Sequence, residues 1–417
     1  MRVRKFWSLT ETVTMTVVVI EPISSGITYL NAAQELGIDL YVFSTDEGEC
    51  SIDGAMRQKA KEIIKIDTSD FHSQLSKINE LKTVRAILPG VEYAVPMAAQ
   101  LGNSFAKNSL EYTTAQTVRN KFKFRDKLTK SGLSDIKYAL ISQGKEISLP
   151  NGFKFPAVVK PVDMAGSMSV KKVVDFEELL RTVDAIWKSK PNDIGFYASG
   201  DLIVEEYIVG KEYSVEGIVH TDGKITFASL TEKLLGPEPY FVEIGHIVGN
   251  KYDGQFSEHV FDYAAKVIQT LELNIGPFHL ELRVTPQGKA VAIELAARLP
   301  GDNIVELIKL ATNFDLAQAV LSEYLDLPYS PSIEKNMVSA IAFIPQGNHR
   351  LFKGFSGLEQ LLEAPECVHH HFYYEADDEL ECNHDWTSRL GYIILRSESE
   401  DKIRSLVTHI HEQVKVI

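Results

Sequence analysis

The sequence predicts an α/β (α+β) protein that opens with a doubly wound parallel-sheet domain and ends in antiparallel sheet. Three observations carry this reading. Thr16–Ile20 reads TVVVI, a continuous β-branched run suited to a strand buried on both faces. A helical pattern through Leu30, Ala33 and Leu36 follows, stopped by Gly37, and Leu40–Phe43 is the next strand. Much later, Phe278, Leu280, Leu282 and Val284, then Val291, Ile293 and Leu295, alternate with other residues as strands with one buried face do.

With 417 residues and 44% hydrophobic content, the chain is long enough for two or three domains with real cores. Its net charge is −14 and no Lys/Arg block stands out, which argues against a nucleic-acid or membrane partner while leaving room for a local basic pocket. Cys50, Cys367 and Cys382 form no CxxC pair, so neither a disulfide framework nor a structural zinc site is indicated, and a cytoplasmic location fits. The apolar run Val17–Ile20 is stopped by Glu21-Pro22, too early for a signal peptide or a membrane span. Residues 1–14 read as a disordered extension, either a fusion scar or an alternative start before Met15.

Ligands in doubly wound sheets gather beyond the carboxyl ends of the strands, which places Ser24, Ser25 and Gly26 at a pocket rim. No GxGxxG accompanies them. Ile63–Ile66 and Ala86–Leu88 are further strands, and the loop after the second carries Glu92, either a helix-start acid or a group that receives a substrate amine. Thr113–Lys130 is helical in pattern, closes at Gly132 and is locally basic through Lys121, Lys123, Arg125 and Lys127. In FPAVVKP, Lys160 ends an apolar strand, and a lysine there calls for an anion. The small-residue loop through Gly166, Ser167 and Ser169 leads into a strand at Val170–Val174 and suits backbone N–H groups converging on phosphate.

Leu202–Ile208 (LIVEEYI) and Glu212–His220 (EYSVEGIVH) read as a hairpin around Val-Gly-Lys, with Glu205 and Glu206 in an apolar strand where charge needs a partner. Gly236–Ile247 is loop-like and carries Glu243 and His246, as ligands or as a surface ion pair. Phe261–Leu273 is a helix beside the central hairpin, and Ile304–Tyr324 holds one long helix or two short ones. Val338–Phe343 and Gly391–Leu395 are strands, and Glu400–Val414 is a closing helix. His369, His370 and His371 are adjacent and cannot all point one way in a strand, so they read as exposed, as do Cys382 and His384.

Phe278–Val284 and Val291–Leu295 read as a hairpin around Thr-Pro-Gln-Gly-Lys. With Gln287 and Gly288 as the central turn residues, Glu281 lies opposite Glu294 and His279 opposite Ala296, on the face away from the apolar set. Like charges so placed are destabilising at the roughly 4.5–5.5 Å between cross-strand Cβ atoms. A hard divalent cation such as Mg²⁺ would relieve them, or Arg283 on a solvated face. Arg298, four residues past Glu294 and just before a Pro-Gly turn, puts a fixed cation nearby.

These features in this order resemble the ATP-grasp superfamily of carboxylate–amine ligases, most of all the L-amino acid ligases that make dipeptides. FPAVVKP, VEEYIVGKEYSVEG and HLELRVTPQGKAVAIELAARLPGD carry the resemblance, which runs from Met15 onward. It implies an ATP-grasp fold with a Rossmann-like domain over 15–112, a central lid domain over 113–205 and a C-terminal antiparallel-sheet domain with the catalytic hairpin over 206–417. It implies ATP and Mg²⁺, with Mn²⁺ as a substitute, L-amino acid substrates and a homodimer. By similarity Lys121 and Lys160 touch ATP phosphates, and Gly166, Ser167 and Ser169 form the loop over them. Glu205 with Glu206, Tyr207 and Ile208 matches the adenine hinge, and Glu212 the ribose acid. Glu281 and Glu294 match the metal ligands, and Arg298 the catalytic arginine. Glu92, Glu243 and His246 would line an amino-acid pocket floored by Pro300 and Gly301. Many members have Asn where this chain has Ala296, so a second metal would lack that ligand. The same site could instead serve a non-amino-acid carboxylate or bicarbonate, and the distant rival is a nucleotide-binding module without turnover.

Overall fold

The computed structural model describes residues 15–81, 83–249, 254–329, 333–334, 336–381 and 384–417. The expectations for residues 1–14 and for Cys382 lie outside the described residues. β1 (Thr16–Ile20), β2 (Asp39–Ser44), β3 (Glu62–Lys65) and β4 (Val84–Pro89) form a parallel sheet in the order β3-β2-β1-β4. β1 is interior and buried at every residue, which is why it shows no polar alternation. The loops leaving β1 and β4 meet backbone to backbone. A Cβ on Gly26 would stand 2.1 Å from the Gly90 carbonyl oxygen, and one on Gly90 2.4 Å from that of Glu21. Glycine at both positions therefore brings Ser24–Gly26 and Glu92 to one rim at the strand ends.

The basic helical pattern proves to be two helices, Tyr112–Val118 and Lys121–Lys130. Asn120 divides them, its side chain accepting from the Lys123 N–H at 3.0 Å as an N-cap does. Next come β5 (Tyr138–Ile141), β6 (Ala157–Pro161), β7 (Lys171–Val173), the small pair β8 (Asn192–Asp193) and β9 (Phe196–Tyr197), and β10 (Leu202–Glu206). Four of them give an antiparallel sheet in the order β5-β10-β6-β7, packed by the helix Phe176–Ser189.

The remaining strands are β11 (Lys211–Val219), β12 (Ile225–Leu235), β13 (Glu243–Val248), β14 (Gly276–Val284), β15 (Ala290–Ala296), β16 (Val338–Pro345), β17 (Phe355–Ser356), β18 (Cys367–Phe372), β19 (Arg389–Ser397) and β20 (Lys415–Val416). Eight of them make one sheet, β15-β14-β11-β12-β13-β16-β19-β18, and β17 pairs with β20. The expected hairpin of LIVEEYI with EYSVEGIVH does not form. β10 pairs with β5 and β6, whereas β11 pairs with β12 and β14. Each strand follows its own core: Leu202 and Val204 pack with Val159 and Leu179, and Val215 with Phe278 and Leu280. The Gly236–Ile247 stretch is not a loop throughout either, because Glu243 and His246 sit on β13, paired on both sides.

The central hairpin has the expected Glu281–Glu294 and His279–Ala296 pairs, reached by a different route. Its turn closes one residue earlier than expected, with Thr285 paired to Lys289. That register places Arg283 opposite Val291 and Leu282 opposite Ala292. A bulge at Ile293 then restores the expected pairing beyond it. In consequence Ala290, Ala292 and Leu295 join Phe278, Leu280, Leu282 and Val284 in the core, while Ile293 faces the cleft. The helix Gly254–Leu271 packs on this apolar face and starts earlier than its periodicity indicated. Ile304–Thr312 and Leu316–Tyr324 are two helices. His369, His370 and His371 are exposed on β18, the sheet's edge. No helix among the described residues is long and apolar enough to cross a membrane.

Candidate active site

One cleft of about 660 Å³ runs between the three sheets, and most of the residues singled out from sequence line it. Its floor is one face of the large sheet. Strand alternation puts Tyr213, Val215, Leu280 and Leu282 into the core and turns the alternate residues to the other face, where Glu212, His279, Glu281 and Arg283 line the cleft. Glu212, Ser214 and Glu216 on β11 are thereby set opposite Arg283, Glu281 and His279 on β14.

This face is a charge network centred on a residue that the sequence reading passed over. Lys233, on β12, bonds Glu281 and lies 2.5 Å from Glu243 and 3.9 Å from Glu212. Burial disfavours its charge, but the three carboxylates raise its pKa well above the ordinary lysine value. Burial raises the Glu212 carboxyl against Lys233 and Arg283, with Glu281 and Glu243 adding to the rise. Glu281 goes the other way: burial opposes ionisation, yet Lys233 and His279 hold it well below the carboxylate range. His279 bridges Glu216 at 2.9 Å and Glu281 at 3.1 Å through its two ring nitrogens. Burial works against the imidazolium, but those two acids raise it to about 9.

At one end, Lys160 and Arg125 grip the buried Glu205 carboxylate at 2.8 and 2.5 Å. Arg283 bonds Glu212 at 2.9 Å and the Ile208 carbonyl at 2.8 Å, and lies over the Tyr207 and Phe241 rings. Glu206 accepts from the Lys154 backbone N–H at 2.8 Å. Gly166 and Ser167 line the cleft, whereas Ser169, in the same loop, does not. Gly166, Ser167 and Ser169 all have positive φ, near 60°, and a Cβ on Gly166 would stand 2.5 Å from the Trp386 ring. The loop thus packs under a tryptophan from the C-terminal part of the chain.

In the middle, Glu281 and Glu294 face one another, and Lys121 lies 3.0 Å from Glu294 while donating to the Met164 carbonyl at 2.6 Å. Opposed hard oxygen donors fit a divalent cation. The sets of three clustered donors among the described residues are different, however: Glu212, Glu243 and Glu281 around Lys233, and Glu243, His246 and Asp302. The position opposite Ala296 belongs to His279.

At the far end Glu92 does open a short helical turn, Glu92–Ala94. It is buried between Arg298 at 2.6 Å and Arg119 at 3.2 Å. Glu243 and His246 do not pair with each other at a surface. His246 bonds Asp302 at 3.0 Å, and Arg389 bonds Asp302 at 2.8 Å. Gly301 lines the cleft, while Pro300 is buried behind it.

A family profile described as an ATP-grasp domain matches residues 153–306, the span from FPAVVKP past Arg298. The chain has the ATP-grasp fold. An L-amino acid ligase structure from Bacillus licheniformis superposes with a TM-score of 0.80 at 19% identity, covering 97% of this chain and 98% of that one. In sequence the chain is 28% identical over 320 residues to dapdiamide A synthase of Enterobacter agglomerans, covering 73% of each. It is 20% identical to an L-arginine-specific L-amino acid ligase of Bacillus subtilis, covering 72% of each. The chain is therefore similar, in fold and in sequence, to proteins named as amino-acid ligases and a dapdiamide synthase.

The cleft residues not anticipated from sequence include Lys233, Asp302, Arg389 and Trp386, and Arg125 and Arg283 were anticipated only as general charge. Lys233 and Arg389 do carry the signal that identified Lys160, a cation within or at the end of an apolar strand.

Proposed function

We propose that this chain joins the carboxylate of one L-amino acid to the amine of another, with ATP converted to ADP and phosphate. The observation that carries the reading is the opposed pair Glu281 and Glu294, with Lys121 beside it and Arg298 in the same cleft. The relatives whose names include amino-acid ligase and dapdiamide synthase support the substrate class.

A carboxylate is a poor electrophile until one of its oxygens carries a leaving group. In this reading a substrate carboxylate oxygen attacks the γ-phosphorus, ADP departs, and an acyl-phosphate forms. Lys121 and Lys160 hold phosphate oxygens, and the Gly166–Ser169 loop covers them and excludes water, which would otherwise hydrolyse the intermediate. The adenine lies by Glu206 to Ile208, against Tyr207 and Phe241. Glu281 and Glu294 would hold Mg²⁺, which when bound neutralises charge on the phosphates. The amine of the second amino acid attacks the acyl carbon and phosphate leaves. Arg298, held in place by Glu92, meets the oxyanion with an orientation set in advance. Glu243 or His246 accepts the proton that the attacking ammonium loses.

The test is ADP and phosphate release across a matrix of amino-acid pairs, with mass spectrometry of the products. A dipeptide mass with stoichiometric ADP is the expected result. Silence across the matrix, with turnover only on bicarbonate or on other carboxylates, would refute the amino-acid assignment.

A further inference from the structure

At the far end of the cleft the C-terminal part of the chain contributes a cation that the reaction scheme leaves without a role. Arg389 opens β19, is 6% exposed and lines the cleft. Its guanidinium lies 4.1 Å above the Phe343 ring, which fixes its plane. One terminal nitrogen bonds Asp302 at 2.8 Å, and the other stands 3.6 Å from Glu243. The Nε, itself buried, has no partner among the described residues, and neither does Nδ1 of His246, which bonds Asp302 through its other nitrogen. Two unsatisfied buried nitrogens in one corner are unusual, because such groups cost about 1–3 kcal/mol each unless something completes them.

Arg389 is ion-paired as the other cleft cations are, but no other of them leaves a buried nitrogen without a partner among the described residues. Lys121 faces Glu294, Lys160 and Arg125 face Glu205, Arg283 faces Glu212, Lys233 faces three acids, and Arg298 and Arg119 share Glu92. The corner reads Glu243, Arg389, Asp302: acid, base, acid. A phosphate dianion would meet two carboxylates there. A zwitterion meets opposite charge at both ends. Asp302, four residues on from Arg298, lines the same cleft.

We propose that Arg389 holds, through its guanidinium, the α-carboxylate of the amine-donating amino acid, while Glu243 and Asp302 receive its ammonium. This rests on the ligase reading and adds to it a subsite for the amine donor. The donor's carboxylate is the one that must not be activated. Tying it to Arg389, away from Lys121 and Lys160, keeps it from the γ-phosphate and points the nitrogen inward.

The experiment compares an active amine donor with its carboxamide, on the full chain, in wild type, Arg389→Met and Arg389→Lys. Charged hydrogen bonds of this kind set discrimination on the order of 10–100-fold. Wild type should prefer the acid over the amide by that factor in kcat/KM. Arg389→Met should remove the preference by lowering the acid alone, with KM for ATP and for the carboxylate donor unchanged. Arg389→Lys should restore part of it. Thermal melting of both variants checks folding, and the acid-to-amide ratio is insensitive to the fraction folded. Equal losses on acid and amide, or a shift confined to the carboxylate donor, would overturn the assignment. A wild type silent with every amino-acid pair would instead bring down the ligase reading and this subsite with it.

Discussion

Glu205→Gln isolates the electrostatics of the nucleotide end of the cleft. Glu205 is 5% exposed, and its carboxylate is shared by Lys160 and Arg125, themselves almost wholly buried. Burial works to raise this carboxyl, but Arg125 and Lys160 outweigh it and hold it at about 2, against an ordinary 4.5. Because the folded-state value is depressed, the stability it contributes is present in full above the unfolded value near 4.5. That contribution is lost as pH falls toward 2. Each tenfold in proton affinity is about 1.4 kcal/mol, so the contribution is about 3 kcal/mol. Glutamine keeps the shape and abolishes the charge, leaving two cations uncompensated, a change of about 3–5 kcal/mol by the usual behaviour of broken buried pairs. The two routes agree. Trp187 packs in the core of the same four-stranded sheet and donates to the Gly200 carbonyl at 2.8 Å, so its fluorescence reports on this unit during urea denaturation. At pH 7 the variant should be about 3 kcal/mol less stable than wild type. At pH 3, where most of the carboxylate's contribution has gone, the gap should shrink to about 1 kcal/mol. A gap that stays constant between pH 7 and pH 3, or one below 1 kcal/mol at pH 7, would refute the reasoning.

Further outcomes follow from the same geometry. Removing divalent metal with a chelator should abolish ADP release, and Mg²⁺ should restore it; Glu294→Gln should raise the Mg²⁺ concentration needed for half-maximal rate, read from a metal titration. Arg298→Ala should lower kcat on the order of 10²–10³-fold with ATP affinity measured by calorimetry little changed, as expected when one oxyanion donor is removed. Gly166→Ala should be strained by about 1 kcal/mol at a φ of +63° and should displace Trp386, whose ring stands 2.5 Å from the new Cβ; a shift in Trp386 emission and a lower kcat would report it, and unchanged emission would count against the contact.

Much of the architecture follows from local pattern alone. The unbroken apolar run at Thr16–Ile20 could only be an interior parallel strand, and it is one. The alternation over Phe278–Val284 could only be a strand with one dry face, and that face is core. Lys160 at a strand end demanded an anion and found Glu205. These inferences succeed because side-chain period and the cost of lone buried charge act over a few residues and are written into neighbouring positions. The Glu281–Glu294 pairing was legible too, though for an incomplete reason. The turn is one residue out of the expected place, and a bulge at Ile293 makes up the difference.

What tertiary structure alone decided is which charges meet. Nothing near Lys233 in sequence announces that Glu212, Glu243 and Glu281, brought in from three other strands, would surround it. Glu92 and Arg298 are 206 residues apart and share a hydrogen bond; Asp302 and Arg389 are joined across a turn and the first residue of a late strand. LIVEEYI and EYSVEGIVH have the pattern of a hairpin, yet they part because each finds its apolar partners in a different sheet. Strand periodicity says which face a side chain occupies, but strand order across a sheet is settled by the packing of whole faces. The charge network exists only once that order is set, so the acids and bases were visible as residue types while their pairings were not.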